Sequence, residues 1–132
     1  MIHHLALTAS NLQRSLSFYD AVLEPLGYKR KLTFSELATW EGPEPEILIY
    51  QARPGQIANT HLTYDPGVHH VAFFAASREI IDRIGIIAPQ AGGTILDRPR
   101  EYPDYSPGYY AVFFNDPDGI KIEIMTKLPE KH

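Results

Sequence analysis

The sequence predicts an α+β fold built from two copies of one βαβββ unit. The first observation is a repeat: residues 2–7 read IHHLAL and residues 68–73 read VHHVAF, so that each copy opens one half of the 132-residue chain. The second is that a stretch with apolar residues at helical spacing follows each copy, and short strand-like stretches follow each helix. A repeat present only twice indicates duplication of one supersecondary unit and not a solenoid.

The first unit begins with a strand and a helix. Residues 2–9 alternate in polarity as a strand does, and either Ser10 or Asn11 can cap the helix that follows. Pro25 and Gly27 are expected to end that helix. Its apolar residues recur at helical spacing and predict one buried face, formed by Leu12, Leu16, Tyr19, Val22, Leu23 and Leu26.

Three short strands complete the first unit. They are predicted at residues 28–35, 36–41 and Ile47–Gln51, the last being rich in β-branched and aromatic residues. A turn punctuated twice by Pro and Gly, residues 41–46, separates the second of these strands from the third.

The stretch 52–67 has little periodicity and contains Pro-Gly pairs, which indicates a connector between the halves. Each half is too small for an independent core, so we expect one domain over residues 1–132. Within it we expect an internal duplication of residues 1–60 and 68–127.

The second unit repeats this order. A strand at 68–75 leads to a helix that Ser77 caps, and Gly85 and Pro89 are expected to stop the helix near Ala88. Five further elements complete the unit: a strand at 94–98, a long loop at 99–108, a strand at 109–114, a tight turn at 115–119 and a closing strand at Ile120–Met125.

Composition excludes several classes of function. The net charge is −4 and no basic cluster stands out, which argues against a nucleic-acid partner. No apolar run approaches the ~20 residues that span a bilayer, and the N-terminus lacks the features of a signal peptide. The chain has no Cys, which excludes disulfides and thiolate chemistry and fits a cytoplasmic location. Its six His residues are then the feature to explain.

One constellation could carry metal chemistry. If both repeat copies are strands, His4 and His70 occupy the same position and face, because side chains alternate along a strand. Glu123 lies on the polar side of the closing strand, and we expect it to face the same concavity. Two His and one carboxylate are the set that holds Fe(II), Mn(II) and related ions with open positions. Alternation points His3 and His69 away, so we do not expect them to be ligands.

Aromatic residues form the second candidate. Tyr102, Tyr105, Tyr109 and Tyr110 cluster in and after the long loop, and a tyrosine offers an apolar face with a hydrogen-bonding tip. They could form a lid over a small organic ligand, or they could simply cover the open end of the sheet. Trp40 could line the same site, although a strand Trp more often belongs to the core.

These motifs together resemble the vicinal oxygen chelate superfamily, also called the glyoxalase/bleomycin-resistance/extradiol-dioxygenase superfamily. The resemblance spans residues 2–126, and a DPDG turn followed by Glu is its most specific part. The segments that carry it are His4–Thr8, Ser15–Tyr19, Leu26–Gly27, His70–Phe73 and Asp116–Glu123.

The resemblance implies two βαβββ modules that form a curved, cup-shaped, eight-stranded sheet with helices on the outer face, often in a homodimer. It also implies metal ligands at His4, His70 and Glu123 and at a fourth position on the strand Ile47–Gln51. That strand holds no carboxylate: Ile49 aligns best with the fourth position, and Gln51 shares its face. We count Ile49 and Gln51, with Trp40 and the four tyrosines, as candidate substrate-binding residues.

Two functions are compatible with these residues. The first is a metal-dependent lyase or dioxygenase, in which Fe, Mn, Ni or Zn chelates two oxygens of a small substrate and Glu123 is the catalytic residue. The second is a metal-free binding module of the drug-sequestering type. The paired His and Glu123 favour the first, whereas the missing fourth ligand and the aromatic loop favour the second.

Overall fold

A computed structural model of the protein describes residues 1–58 and 60–127. The chain divides into two compact units, which we call unit 1 (residues 1–60) and unit 2 (residues 61–132). No helix in the described part of the chain is long and apolar enough to cross a membrane. The polar stretch after Thr126, which the sequence predicts to be irregular, falls almost entirely at residues 128–132, outside the described residues.

Unit 1 is a βαβββ unit with its strands in one mixed sheet. Its four strands have the order β1-β4-β3-β2, in which β1 and β4 are parallel and the other pairs are antiparallel. The elements are β1 (His4–Ala9), α1 (Leu12–Leu23), a 3₁₀ turn (Glu24–Leu26), β2 (Lys29–Thr33), β3 (Leu37–Glu41) and β4 (Glu46–Gln51), followed by a 3₁₀ turn (Pro54–Gln56).

Unit 2 has the same topology. Its strand order is β5-β8-β7-β6, and β5 runs parallel to β8 as β1 does to β4. The predicted α+β class and the two βαβββ units are therefore confirmed, with eight strands in two four-stranded sheets. The elements are β5 (Val71–Phe74), α2 (Arg78–Gln90), β6 (Thr94–Glu101), β7 (Tyr110–Asn115) and β8 (Lys121–Thr126).

Both helices begin at the predicted caps. Asn11 accepts a hydrogen bond from the amide of Arg14 at 3.1 Å, and Ser77 accepts one from the amide of Ile80 at 3.3 Å. The end of α2 differs from the prediction, because the helix continues through Pro89 to Gln90. A proline in the last turn removes only its own amide donor, so it does not force the helix to stop at Ala88.

Each helix covers the apolar face of its own sheet. Helix α1 lies against β2, β3 and β4, and α2 lies against β6, β7 and β8. In unit 2 the buried residues of this layer alternate along the strands, as a half-covered sheet requires. They are Phe73 on β5, Val112 and Phe114 on β7, Ile122 and Ile124 on β8, and Ile81, Ile84 and Ala88 on α2.

The aromatic loop is shorter than predicted. Strand β6 reaches Glu101, so the loop that precedes β7 begins at Tyr102. The register of β6 against β7 shifts twice, between Ile95 and Asp97 and again between Asp97 and Arg100. These irregularities carry the strand through Pro99, which a regular ladder would not accept away from an edge or a bulge.

A substitution at Gly42 tests how closely the turn that contains Gly42 packs against the turn that contains Gly27. A Cβ at this position would lie 2.4 Å from the carbonyl oxygen of Gly27, a backbone atom that cannot move aside. We expect Gly42→Ala to lower the free energy of unfolding by about 1–3 kcal/mol, as overpacking does. Urea denaturation measures this change. Gly55→Ala is the control, because a Cβ there meets nothing within 4 Å, and equal loss in both variants would contradict the explanation.

Candidate functional site

Glu123 is a buried carboxylate in the middle of the sheet of unit 2. Strand β8 lies between β5 and β7, and Glu123 pairs through its Cα with Ala72 on one side and Phe113 on the other. Alternation turns its side chain away from the face that α2 covers. Only 4% of the residue is exposed. A carboxylate this buried needs polar partners to stay ionised.

One partner of Glu123 is the imidazole of His70. Nε2 of His70 lies 3.1 Å from Oε1 of Glu123, with the His70 side chain 33% exposed. His70 precedes the first residue of β5, and its ring also contacts Phe113 edge-on with a centroid distance of 6.4 Å. The predicted approach of His70 to Glu123 is thus present within unit 2.

The other partner of Glu123 is the phenol of Tyr109, whose hydroxyl donates a hydrogen bond to Oε2. Burial raises the pKa of Tyr109 above its ordinary value, and the hydrogen bond to Glu123 and the negative charge of that carboxylate raise it further. Tyr109 therefore stays protonated and keeps its donor on the carboxylate at physiological pH. Each oxygen of Glu123 has one described partner.

Among residues 1–58 and 60–127, the basic side chain within ion-pair distance of Glu123 is the imidazole of His70. The nearby Lys121 places its ammonium over the ring of Phe113, 5.1 Å from the centroid, and forms no ion pair with Glu123 in that part of the chain. A divalent cation would supply the missing charge. The separation of 3.1 Å between His70 Nε2 and Glu123 Oε1 fits two neighbouring ligands of such an ion, which lie about 3 Å apart when both bonds are about 2.1 Å.

The described residues do not contain a complete metal centre. In neither unit do three or more described His, Asp or Glu side chains lie together as a group that could hold an ion. Unit 2 brings two of the three predicted ligands together, His70 and Glu123. His4 belongs to unit 1, where it is exposed at the start of β1.

Each ligand candidate of the repeat touches the histidine that precedes it. Nδ1 of His69 lies 2.7 Å from Nδ1 of His70, and Nδ1 of His3 lies 2.9 Å from Nδ1 of His4. Strict alternation would not bring neighbouring rings together, whereas the expectation that His3 and His69 are not ligands stays a prediction. Alternation holds only inside a strand, and β1 and β5 begin at residues 4 and 71, so neither pair lies wholly within its strand.

Aromatic residues adjoin Glu123 on the same face of unit 2. Tyr102, Ala111 and Phe113 form a buried cluster, against which Tyr109 and Met125 pack. Tyr105 stacks on Tyr102 at a centroid distance of 5.1 Å and is itself 62% exposed. The loop thus brings together three of its predicted tyrosines, while Phe113 and Met125 were not anticipated. The sequence signal that could have identified Phe113 and Met125 is that each directly follows a residue of the helix-covered face, Val112 or Ile124, and therefore lies on the face of Glu123.

The hydroxyl of Tyr102 is buried without an acceptor. The residue is 7% exposed, and its oxygen has no hydrogen-bond partner of normal geometry in the described part of the chain. Burial raises the pKa of Tyr102, and Arg100, whose guanidinium lies over the ring 3.9 Å from its centroid, opposes this rise by its charge and by hydrogen bonding to the phenol. A guanidinium can only donate, so it gives the phenol proton no acceptor. The phenol proton is therefore available to an oxygen of a bound molecule.

Tyr110 does not belong to this aromatic group. It shares a face of β7 with Val112 and Phe114 and so points towards α2. There its hydroxyl donates to Asp82, and Arg78 stands over its ring at 4.8 Å. The structure thus separates Tyr110 from Glu123, against the prediction that placed it in the substrate site.

Unit 1 differs from unit 2 at the position that matches Glu123. In unit 2, Ala72 is paired with Glu123; in unit 1, the equivalent Ala6 is paired with Leu48. The fourth position was assigned to Ile49, but Ile49 is buried on the face that α1 covers. That assignment slipped by one residue, which reverses the face of a strand. Glu46, which the predicted strand omitted, pairs with His4.

The other candidates in unit 1 have structural partners. The side chain of Gln51 accepts a hydrogen bond from the Leu12 amide at 2.8 Å and donates to the carbonyl of Ser10 at 2.8 Å, which fixes the start of α1. Trp40 is buried, and its indole donates to Asp20 at 2.9 Å. These contacts account for both side chains without a ligand.

The chain is similar to proteins of one superfamily. The profile of the Glyoxalase/Bleomycin resistance protein/Dioxygenase superfamily matches residues 1–124. The uncharacterized protein YqjT of Bacillus subtilis (strain 168) is 32% identical over 124 residues, which are 94% of this chain and 97% of that protein.

Two solved structures extend this similarity to the fold. A protein of Bacillus halodurans, provisionally described as a glyoxalase, has a TM-score of 0.80 at 30% identity, with 96% of this chain and 95% of its own covered. A glyoxalase/bleomycin resistance protein from Albidiferax ferrireducens T118 has a TM-score of 0.79 at 28% identity, with coverages of 96% and 98%.

The position of Tyr110 has a consequence for stability at high pH. Burial and the hydrogen bond to Asp82 raise its pKa from 10.0 to about 12, so the folded state holds the phenol proton more tightly than the unfolded chain. Its stabilising contribution is complete below pH 10 and is lost as pH rises towards 12. We expect urea denaturation of wild type to show a steeper loss of stability over this window than Tyr110→Phe. Parallel pH profiles would contradict the placement.

Proposed function

Because the chain belongs to the Glyoxalase/Bleomycin resistance protein/Dioxygenase superfamily, we propose that it is a small metal-dependent enzyme. Its substrate would be a small molecule with adjacent oxygens, and its reaction lyase-like or dioxygenase-like. The observation that carries the proposal is the buried carboxylate of Glu123, which lies 3.1 Å from an imidazole and pairs with no Lys or Arg of the described residues. A bound cation would offset the cost of burying this carboxylate.

In this proposal His70 and Glu123 hold the ion, and His4 is the third ligand that the sequence repeat predicts. The ion would be Fe, Mn, Ni or Zn, all of which accept imidazole and carboxylate ligands. When bound, it would polarise substrate oxygens as a Lewis acid.

The residues around the ligands would hold them in place. Tyr109 donates to Oε2 of Glu123 and His70 lies beside Oε1, so the two contacts fix the orientation of the carboxylate. Glu123 is the proposed catalytic residue, since its carboxylate can also accept a proton from a substrate held beside it.

The aromatic side of the same face suggests how a substrate is held. Tyr102, Tyr109 and Phe113 offer an apolar wall, and the Tyr102 hydroxyl offers a donor with no internal acceptor. A planar or small organic molecule with an oxygen directed at Tyr102 fits these groups.

A metal-free binding module is the second candidate. Leu48 occupies the position that matches Glu123, so unit 1 contributes no carboxylate there. Binding alone would need only the aromatic wall and the Tyr102 donor. This function is favoured if purified protein carries no metal and binds none.

The homodimer and the cytoplasmic location stay predictions. Exposed apolar residues at edges of the two sheets support self-association, because edge strands with apolar side chains are usually covered. They are Leu32 and Phe34 at and beside β2, and Phe74 on β5.

Metal titration tests the leading proposal. Calorimetry of protein stripped with chelator should show binding of Mn(II), Ni(II) or Zn(II). Glu123→Gln removes the anionic ligand and keeps the size of the side chain, so we expect affinity to fall at least tenfold, or about 1.4 kcal/mol. His4→Ala should have an effect of the same order if it is the third ligand.

Glu44→Gln is the control for this experiment, because Glu44 is an exposed carboxylate in the turn before β4 and is not a proposed ligand. Equal binding by wild type and Glu123→Gln would exclude the metal site. Absence of binding by wild type would favour the metal-free module.

Tyr102→Phe tests the role of the buried hydroxyl. Because that hydroxyl has no acceptor, we expect its removal to leave the free energy of unfolding unchanged or to raise it by about 0.5–1 kcal/mol. The same change should reduce the thermal shift that an oxygen-bearing probe such as catechol produces in wild type. Tyr105→Phe is the matched control, since Tyr105 is exposed. A Tyr102→Phe variant that is strongly destabilised would show that the hydroxyl has a structural partner.

A further inference from the structure

The contact between His69 and His70 constrains the protons on both rings. Two Nδ1 atoms 2.7 Å apart can form a hydrogen bond only when one carries a proton and the other offers a lone pair. The protonation of one ring therefore dictates the tautomer of the other. No other polar contact of His69 competes with this one among the interactions of the described residues.

The carboxylate of Glu123 decides which way this bond runs. Its Oε2 accepts from Tyr109, and its Oε1 lies 3.1 Å from Nε2 of His70. An ionised carboxylate only accepts, so Nε2 of His70 must carry a proton in the metal-free protein. Nδ1 of neutral His70 is then the acceptor, and Nδ1 of His69 is the donor.

We infer that His69 is a positioning residue, which sets the orientation and tautomer of His70 through a hydrogen-bond relay that runs from His69 through His70 to Glu123. The relay ends at Tyr109, which donates to the opposite oxygen of the carboxylate. His69 touches neither Glu123 nor Tyr109 in this arrangement and acts only through His70.

The connector before β5 holds the ring of His69 in place. Tyr64 contacts it edge-on at a centroid distance of 4.8 Å, and Nε2 of His61 bonds the carbonyl of Val68 at 2.9 Å. His69 is itself exposed, so its outer nitrogen can exchange a proton with water.

The direction of the hydrogen bonds in the relay can reverse when His70 acts as a metal ligand, a step that rests on the proposed function. To offer the Nε2 lone pair, His70 releases the Nε2 proton to water and receives at Nδ1 the proton that His69 held. His69 takes a proton from water at its own Nε2, so both rings stay neutral. An imidazole can make this change from donor to acceptor, whereas the carbonyl or carboxylate that usually supports a metal-bound His cannot.

The same contact occurs in unit 1. Nδ1 of His3 and Nδ1 of His4 lie 2.9 Å apart, and the two rings meet at 88°, compared with 73° for His69 and His70. A contact present at both copies of the repeat indicates a property of the His-His motif and not an accident of local packing.

Nitrogen-15 NMR of metal-free protein at pH 8 tests the relay directly. In wild type we expect His70 with its proton on Nε2 and His69 with its proton on Nδ1. Glu123→Ala removes the acceptor of the Nε2 proton, so neither ring is then held in one tautomer and we expect the Nδ1-protonated fraction of His69 to fall. The decisive observation is this change at His69, which does not touch residue 123. An unchanged His69 in Glu123→Ala, or Nε2-protonated His69 in wild type, would overturn the inference.

Metal affinity gives an independent readout. We expect His69→Phe to weaken Mn(II) or Zn(II) binding roughly tenfold, as loss of a supporting hydrogen bond does, while His69→Asn, which can donate or accept, stays within about threefold of wild type. Equal affinity of His69→Phe and wild type would contradict the positioning role. If wild type binds no metal, the proposed function fails, and the NMR result alone decides the relay.

Discussion

The buried carboxylate of Glu123 is the constraint on which the polar chemistry of unit 2 depends. Removing such a charge from water costs several kcal/mol unless its oxygens find partners. Strand β8 is central in its sheet, so these partners must come from neighbouring segments, and they do so as His70 before β5 and Tyr109 before β7. Both partners are groups that can exchange a proton, an imidazole and a phenol, and neither carries the permanent charge of a Lys or Arg. The site thereby remains able to accept a cation.

The two units share a duplicated βαβββ topology, but they differ at one position of the strand register, where only unit 2 has a carboxylate. Both units place a His-His pair at the start of the first strand and an Ala two residues after its second His. The residue paired with that Ala is Leu48 in unit 1 and Glu123 in unit 2. A strand pair fixes which side chains share a face, so this single difference determines that the carboxylate belongs to unit 2.

The fold was largely predictable because it depends on signals that repeat over many residues. The same topology is indicated by three signals: the His-His strands, the caps Asn11 and Ser77, and the spacing of the helices. Within the site, the pairing of His70 with Glu123 followed from alternation along two strands. What failed depended on single residues: the register of β4 against β1 makes Leu48, and not Ile49, the residue that matches Glu123, and the bulged β6 moved the start of the loop. The contacts of His69 and Gln51 do not follow from regular strand alternation, so the sequence pattern could not predict which way these side chains point.

The way in which polar groups are satisfied separates structural from functional candidates. The side-chain amide of Gln51 hydrogen-bonds backbone groups at the start of α1, and Asp20 accepts hydrogen bonds from Arg30 and Trp40. These polar side chains in unit 1 therefore have fixed, complementary partners. On the open face of unit 2, Glu123 relies on neutral donors and the Tyr102 hydroxyl lacks an acceptor. Incomplete satisfaction costs stability, and a folded chain retains it where a ligand completes the set. The Ser15 hydroxyl of unit 1 is also buried without a hydrogen-bond partner among the described residues, so an unsatisfied atom alone does not identify a site. In unit 2 the unsatisfied hydroxyl belongs to the aromatic cluster that adjoins the buried carboxylate, and this combination is the physical reason to assign the site to the face that bears Glu123.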